Sequence, residues 1–235
     1  MQAGVSMSKT IGILGGMGPM ATADLLIKII QNTPARLDQD HPRIIIDNNP
    51  KIPSRIQAIL AATEDPLSEM VKSGLFLEKA GVDFILIPCC TAHFWLKELQ
   101  QRVKAPIYNM IEATVAYIGE QRYSKQILLL ASTATVQTDL YQKAFRTRDL
   151  KLVIPTPAEQ EIVAAAIDQV KAGLIERNPY LKPLNLILKR YMSKEISTVL
   201  GGCTEVPLLF PFLEGGMIKI DPTLILARLA IARAK

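Results

Sequence analysis

Three cysteines carry most of the chemistry that this sequence offers. Cys89 and Cys90 stand together in DFILIPCCTAH (Asp83–His93), and Cys203 stands in TVLGGCTEVP (Thr198–Pro207). Each stretch is a run of β-favouring apolar residues that stops at Cys, passes through Thr and continues with helix-like spacing. A thiol at such a strand-to-helix turn sits where unpaired backbone N–H groups and the helix dipole favour thiolate. Inert burial is the alternative for any one of them, because free cysteine is among the most buried residue types. Yet the strand–Cys–Thr context occurs twice, and every cysteine of the chain lies in one of the two copies. Two opposed thiols suit one task well. One thiolate removes a weakly acidic proton from carbon while the other thiol protonates the opposite face, which inverts a stereocentre without a cofactor. Cations and N–H groups must then hold a carboxylate and bear the enolate charge; Arg55, the two helix N-termini and a lysine from the second half are available.

Other uses of these residues fit less well. Adjacent cysteines cannot both reach Cys203, so a disulfide framework is poor and a reducing cytoplasm is the expected compartment. His93 is the only histidine near a cysteine and no C-x-x-C occurs, which argues against a metal site. A Cys–His hydrolase would leave the second Cys-Thr element without a purpose. Gly16-Met17-Gly18-Pro19-Met20-Ala21 matches the dinucleotide pattern G-x-G-x-x-A. However, Asp47 follows roughly 30 residues on instead of about 20, and Pro19 removes an N–H that a pyrophosphate would use. A glycine-rich turn whose backbone approaches a smaller ligand is the better reading.

The elements that must position these groups alternate along the chain. Apolar strands are expected at Thr10–Gly16, Arg43–Asp47, Asp83–Pro88 and Pro106–Asn109, and again at Gln126–Ala131, Lys151–Ile154 and Ile196–Leu200. Helices are expected from Pro19 to about Asn32, over Leu67–Ala80, from about Ala92 to Val103, and over Gln137–Arg146, Ala158–Gly173, Pro179–Met192 and Thr223–Ala234. Asn48–Arg55, NNPKIPSR, reads as a loop that ends in a cation. This alternation predicts an α/β fold of two similar, doubly wound parallel-sheet domains related by pseudo-symmetry, with the active site in the cleft between them. The expected boundaries are 8–118 for the first domain, with 211–235 packing back on it, and 119–210 for the second. The polar segment Gly119–Lys125 is the expected hinge, and the leader before Met7 is expected to fray.

Composition narrows the partners. Of 235 residues, 49% are hydrophobic and 21% charged, which is a globular balance and not a disordered one. The net charge of +5 comes from scattered Lys and Arg without interleaved aromatics, so no nucleic-acid partner is expected; anionic small substrates are compatible with it. Pro19, Asp24 and Lys28 interrupt the one signal-like stretch, and no run of about 18 apolar residues implies a membrane span.

The ordered set IGILGGMGP (Ile11–Pro19), NNPKIPSR, DFILIPCCTAH and GGCTE (Gly201–Glu205) resembles the cofactor-independent aspartate/glutamate racemase family, most closely its aspartate racemase branch. The likeness runs from about Thr10 to the C-terminus. It implies an amino-acid substrate, no PLP or metal, and a homodimer. It also implies that Cys89 and Cys203 are the catalytic pair and that Arg55 binds the second carboxylate. Lys171, in VKAG, is placed near the same group. Thr91 and Thr204 match threonines that hold the α-amino and α-carboxylate groups. Met17, Cys90, Ala92 and Glu205 complete the implied substrate contacts. One departure stands out. The family usually reads P-C-N-T-A-H, and Cys90 replaces that Asn, giving the substrate a poorer hydrogen-bond partner. Because side chains alternate near a strand end, Cys89 is preferred over Cys90 to face Cys203. Aspartate racemisation is the first expectation. Glutamate or broad-specificity racemisation, isomerisation of an unsaturated diacid, and a catalytically impaired amino-acid-binding relative stay open beside it.

Overall fold

The computed structural model describes residues 9–121, 123, 125–146 and 150–235. The leader before Met7 lies outside the described residues. In chain order, β1 (Ile11–Gly15) is followed by α1 (Pro19–Asn32), β2 (Ile44–Asn48), α2 (Arg55–Ala61), α3 (Leu67–Lys79), β3 (Phe84–Leu86), α4 (Leu96–Gln100) and α5 (Met110–Glu120). Then come β4 (Gln126–Leu130), α6 (Thr133–Gln137), α7 (Leu140–Phe145), β5 (Lys151–Val153), α8 (Pro157–Lys171), α9 (Leu181–Met192), β6 (Thr198–Gly201), α10 (Val206–Leu209), β7 (Ile218–Ile220) and α11 (Pro222–Ala234).

These form two all-parallel sheets with flanking helices, ordered β2-β1-β3 and β5-β4-β6-β7. Each Cys-bearing strand, β3 or β6, lies directly beside its central strand, β1 or β4. Parallel strands buried on both faces should read as continuous apolar runs, and ILLL within β4 does so. The pleat sends alternate residues to different cores. Ile127 and Leu129 of β4 join Ile11 and Ile13 of β1 and Phe84 and Leu86 of β3 in one cluster shared by both sheets. Leu128 and Leu130 face a second cluster with α8 and α9, whereas Ile85 and Ile87 face a third with α3 and Trp95.

Local sequence accounts for the helix starts that matter to the site. Proline opens α1, α8 and α11 at a position where a missing N–H costs nothing. Asn109 Oδ1 caps α5 by accepting from Ile111 and Glu112 N–H, and Ser54 Oγ caps α2 by accepting from Gln57 N–H. α11 packs against α1 and α5, and Lys28 of α1 pairs with the α11 cap Asp221 at 2.6 Å.

Several expected elements differ. The helix expected over Ala92–Val103 is a 3-10 turn over Thr91–Trp95 followed by the short α4. There His93 N–H bonds the Cys90 carbonyl at 3.1 Å, and the His93 ring takes the Cys89 carbonyl, which tightens the first turn. Left-handed Asp139 (φ 57°) separates α6 from α7 inside the helix expected over Gln137–Arg146. Pro106–Asn109 contributes only the isolated bridge Ile85–Ile107. α2, α5 and β7 were not expected. Within the expected hinge, Gly119 and Glu120 close α5, and residues 122 and 124 lie outside the described residues.

Candidate active site

The carboxyl ends of the central and Cys-bearing strands open on a cavity of ≈ 300 Å³. Open α/β sheets place ligands at this end. The turn after β1 contributes Gly16 and Met17, and the loop after β2 contributes Pro50, Ile52 and Ser54, with Arg55 and Ile56 opening α2. Cys89 and Thr91 follow β3; from the other half come Lys171 at the end of α8, then Cys203 and Glu205 after β6. Gly16 has φ +90°, and a Cβ there would meet the Asn49 backbone at 2.3 Å, so only glycine allows these two loops to approach.

Cys89 continues the Ile85–Ile87 face of its strand, whereas Cys90 turns into the core shared by the two sheets. The Cys89 carbonyl is held by His93 Nδ1 at 2.9 Å. His93 Nε2 accepts from Met110 N–H at 3.0 Å, so the ring is neutral with its proton on Nδ1, and burial pushes its pKa down to about 4. Arg55 Nη1 donates to the Ile52 and Pro53 carbonyls at 3.0 and 2.7 Å, fixing the guanidinium over its own loop. Burial raises the Cys89 thiol pKa, the adjacent Arg55 charge lowers it, and Glu205 raises it again more weakly.

Around Cys203 the charges are reversed. Its Sγ–H donates to Glu205 Oε2 at 2.9 Å, and Thr204 Oγ1 donates to the same oxygen at 3.3 Å. Burial and then the Glu205 charge lift the Cys203 pKa well above the ordinary thiol value, against the pull of Lys171. Burial disfavours the charged form of Lys171, but Cys203, Glu205 and Asp168 outweigh it and raise its pKa. The expectation that helix N-termini would favour thiolate at both cysteines is corrected here. A five-residue 3-10 turn and the four-residue α10 sum too little dipole to offset desolvation.

Seven residues singled out in the sequence line the cavity: Met17, Arg55, Cys89, Thr91, Lys171, Cys203 and Glu205. Cys90, Ala92 and Thr204 do not. Cys90 Sγ lies 3.4 Å from Tyr141 OH and 3.7 Å from Met110 Sδ, facing away from the lining; the backbone has already turned helical at Cys90 (φ -59°, ψ -45°), so it is this turn and not the alternation expected of a strand that parts it from Cys89. The Ala92 backbone N–H bonds the Cys89 sulfur and lowers its pKa slightly. Thr91 Oγ1 is occupied by Ser132 Oγ (3.2 Å) and Thr135 Oγ1 (3.0 Å), a buried hydroxyl cluster that joins the two halves beneath the cavity. Sequence reasoning missed that cluster, although Ser132 ahead of Thr133–Gln137 carries an N-cap signal. Among the described residues, no three His, Cys, Asp or Glu side chains gather as a metal-ligand set.

Comparison with known proteins follows the same outline. The family model described as Asp/Glu/Hydantoin racemase matches residues 14–230. The broad specificity amino-acid racemase RacX of Bacillus subtilis is 27% identical over 229 residues, covering 94% of this chain and 96% of that protein. The Picrophilus torridus aspartate racemase superposes with a TM-score of 0.87 at 32% identity, covering 96% of this chain and 94% of that one. A glutamate racemase from Francisella tularensis subsp. tularensis, solved in complex with D-glutamate, shares the fold with a TM-score of 0.70 at 16% identity, covering 96% of this chain and 80% of that one.

Proposed function

The chain belongs to the Asp/Glu/hydantoin racemase family, and from that premise we propose that it interconverts L- and D-aspartate by proton transfer between Cα and two thiols. The observation that carries the reading is that Cys89 and Cys203, from different halves of the molecule, line one cavity. In one direction the Cys89 thiolate takes the Cα proton. The electron pair left on carbon delocalises into the α-carboxylate, and Cys203 Sγ–H protonates the opposite face. Cys89 is then a thiol and Cys203 a thiolate, and the reverse reaction restores the start. A cavity of ≈ 300 Å³ sits at the small end of ligand sites, which suits a single amino acid. Arg55 and Lys171 supply the cations that a second carboxylate needs, and this favours aspartate, as does the likeness to the aspartate racemase.

The likeness to a broad-specificity racemase over nearly the whole chain supports a second reading, in which glutamate or neutral amino acids also react. NMR-monitored incorporation of solvent deuterium at Cα across acidic and neutral amino acids tests both. Exchange confined to aspartate supports the first reading, and exchange across the panel supports the second. No exchange with either enantiomer of aspartate or glutamate, or with any neutral amino acid, overturns the racemase assignment. A cytoplasmic homodimer without PLP or metal belongs to the same proposal; among the described residues no helix is long and apolar enough to cross a membrane.

A further inference from the structure

The loop between β2 and α2 holds its own cation in place. Arg55 Nη1 donates to the Ile52 and Pro53 carbonyls at 3.0 and 2.7 Å, so one nitrogen of the guanidinium is spent on the loop. The loop is itself tied down. Lys51 N–H donates to Asn49 Oδ1 at 3.0 Å, Ile52 N–H donates to the Asn49 carbonyl at 3.4 Å, and the Asn49 backbone is seated against Gly16 of the turn after β1. Pro50 and Pro53 remove further backbone freedom. The guanidinium stands beside Cys89, on which its charge acts. Ile52, 4% exposed, lines the cavity and belongs to the same apolar cluster as Met17 and Cys89. One residue therefore anchors the cation with its carbonyl and fills space near the sulfur with its side chain.

A substrate that reacts here sets its reacting atoms about 3–3.5 Å from the Cys89 sulfur and its second carboxylate against Arg55. The span between those two points fixes the length of side chain that is accepted. A cation on a free side chain could retreat to admit a longer acid. One clamped at Nη1 cannot do so without giving up two hydrogen bonds. We propose that Ile52 is the length gauge of the site: its carbonyl holds the guanidinium at a fixed reach, and its side chain occupies the room that one more methylene would need, so that aspartate is selected over glutamate. The inference rests on the racemase reading and deepens it. Charge alone would not make this choice, because aspartate and glutamate carry the same charged groups. A single methylene in an apolar pocket is worth about tenfold to two-hundredfold in specificity, enough to separate the two acids without any added polar contact.

The test compares kcat/KM for aspartate and glutamate in the wild type, Ile52→Val and Ile52→Ala, with equilibrium binding of both acids measured by calorimetry. The wild type should favour aspartate by about tenfold or more. In Ile52→Ala the glutamate-to-aspartate ratio should rise about tenfold, and in Ile52→Val by roughly a few-fold, with the gain read chiefly as a lower KM for glutamate. A purely structural role would lower both substrates alike and leave the ratio where it was. An unchanged ratio in the variants, or a wild type that takes glutamate as well as aspartate, overturns the assignment. If Ile52→Ala does not fold, Ile52→Val and the wild type decide, since valine removes one carbon and keeps the branched shape. Failure of the racemase reading looks different: neither acid would exchange at Cα, while calorimetry would still show the wild type binding aspartate more tightly than glutamate and Ile52→Ala narrowing that gap. Binding without that pattern, or no binding of either acid, overturns the length gauge as well.

Discussion

β3 and β6 hold the same place in their sheets, beside β1 and β4, and each ends in the same tight turn. Cys89 N–H donates to the Ile87 carbonyl at 2.8 Å, and Gly202 N–H donates to the Leu200 carbonyl at 3.0 Å. What surrounds the two thiols differs. Cys89 has the Arg55 cation beside it and its carbonyl fixed by a neutral His93, whereas Cys203 hydrogen-bonds a carboxylate and its carbonyl accepts the Val206 N–H at 3.0 Å. Backbone repetition thus brings two thiols to one cavity; burial raises both pKa values, and the Arg55 charge offsets that rise at Cys89 whereas Glu205 adds to it at Cys203. Two-thiol racemisation needs a thiolate and a thiol at the outset. The unlike surroundings make Cys89 the easier of the two to ionise, because Arg55 works against the burial that raises both pKa values.

The comparison can be broken most forcefully at the sulfur atoms. Cys203→Ala and Cys89→Ala should each lower the racemisation rate by about 10³-fold or more, as read by polarimetry or chiral chromatography. Cys90→Ala, which alters a side chain packed on Tyr141 and Met110, should leave the rate within a few-fold. An equal loss in all three would dissolve the distinction between the cavity thiols and the core thiol.

Next in size is the histidine that only the Cys89 end possesses. Its folded pKa of about 4 lies below the unfolded value of 6.5, so the unfolded chain binds the proton first. The stability it contributes is complete above pH 6.5 and is lost as pH falls toward 4, by about 3 kcal/mol at most. Urea midpoints measured across that window should show the fall, and His93→Gln should flatten it. Arg55→Met should then weaken aspartate by about 1.5–3 kcal/mol, read as a rise in KM. It should also make Cys89 harder to ionise, read as an alkaline shift of its alkylation rate.

A subtler probe is the order of modification. The cavity thiols react faster as pH rises, and iodoacetamide should label Cys89 before Cys203; Cys90, buried outside the cavity lining, should be last when sites are mapped by mass spectrometry. The smallest effect is expected at the hydroxyl cluster between the halves. Thr135→Val removes a partner of Thr91 and Ser132 and should cost about 1 kcal/mol of stability in thermal unfolding, with no change in the labelling order.

The parallel α/β architecture was legible in the chain because strands buried on both faces must be apolar throughout and helices must show their own period. Seven of the ten residues singled out for the site do line the cavity, since their motifs sit at strand ends, in the loop that ends at Arg55 and, for Lys171, at the end of α8. α5 carried a readable signal in its Asn109 cap, whereas β7 has only three residues and little pattern to show.

By itself, then, the sequence determined two repeated strand–Cys–Thr units and the alternation that sets them in parallel sheets. Tertiary structure alone decided which groups share the cavity with each sulfur. Arg55 reaches Cys89, and Lys171 reaches Cys203, only because separate loops and helix ends converge at the strand carboxyl ends. Desolvation follows the same logic: a thiol loses its water through the packing of many distant segments, and no local pattern records that.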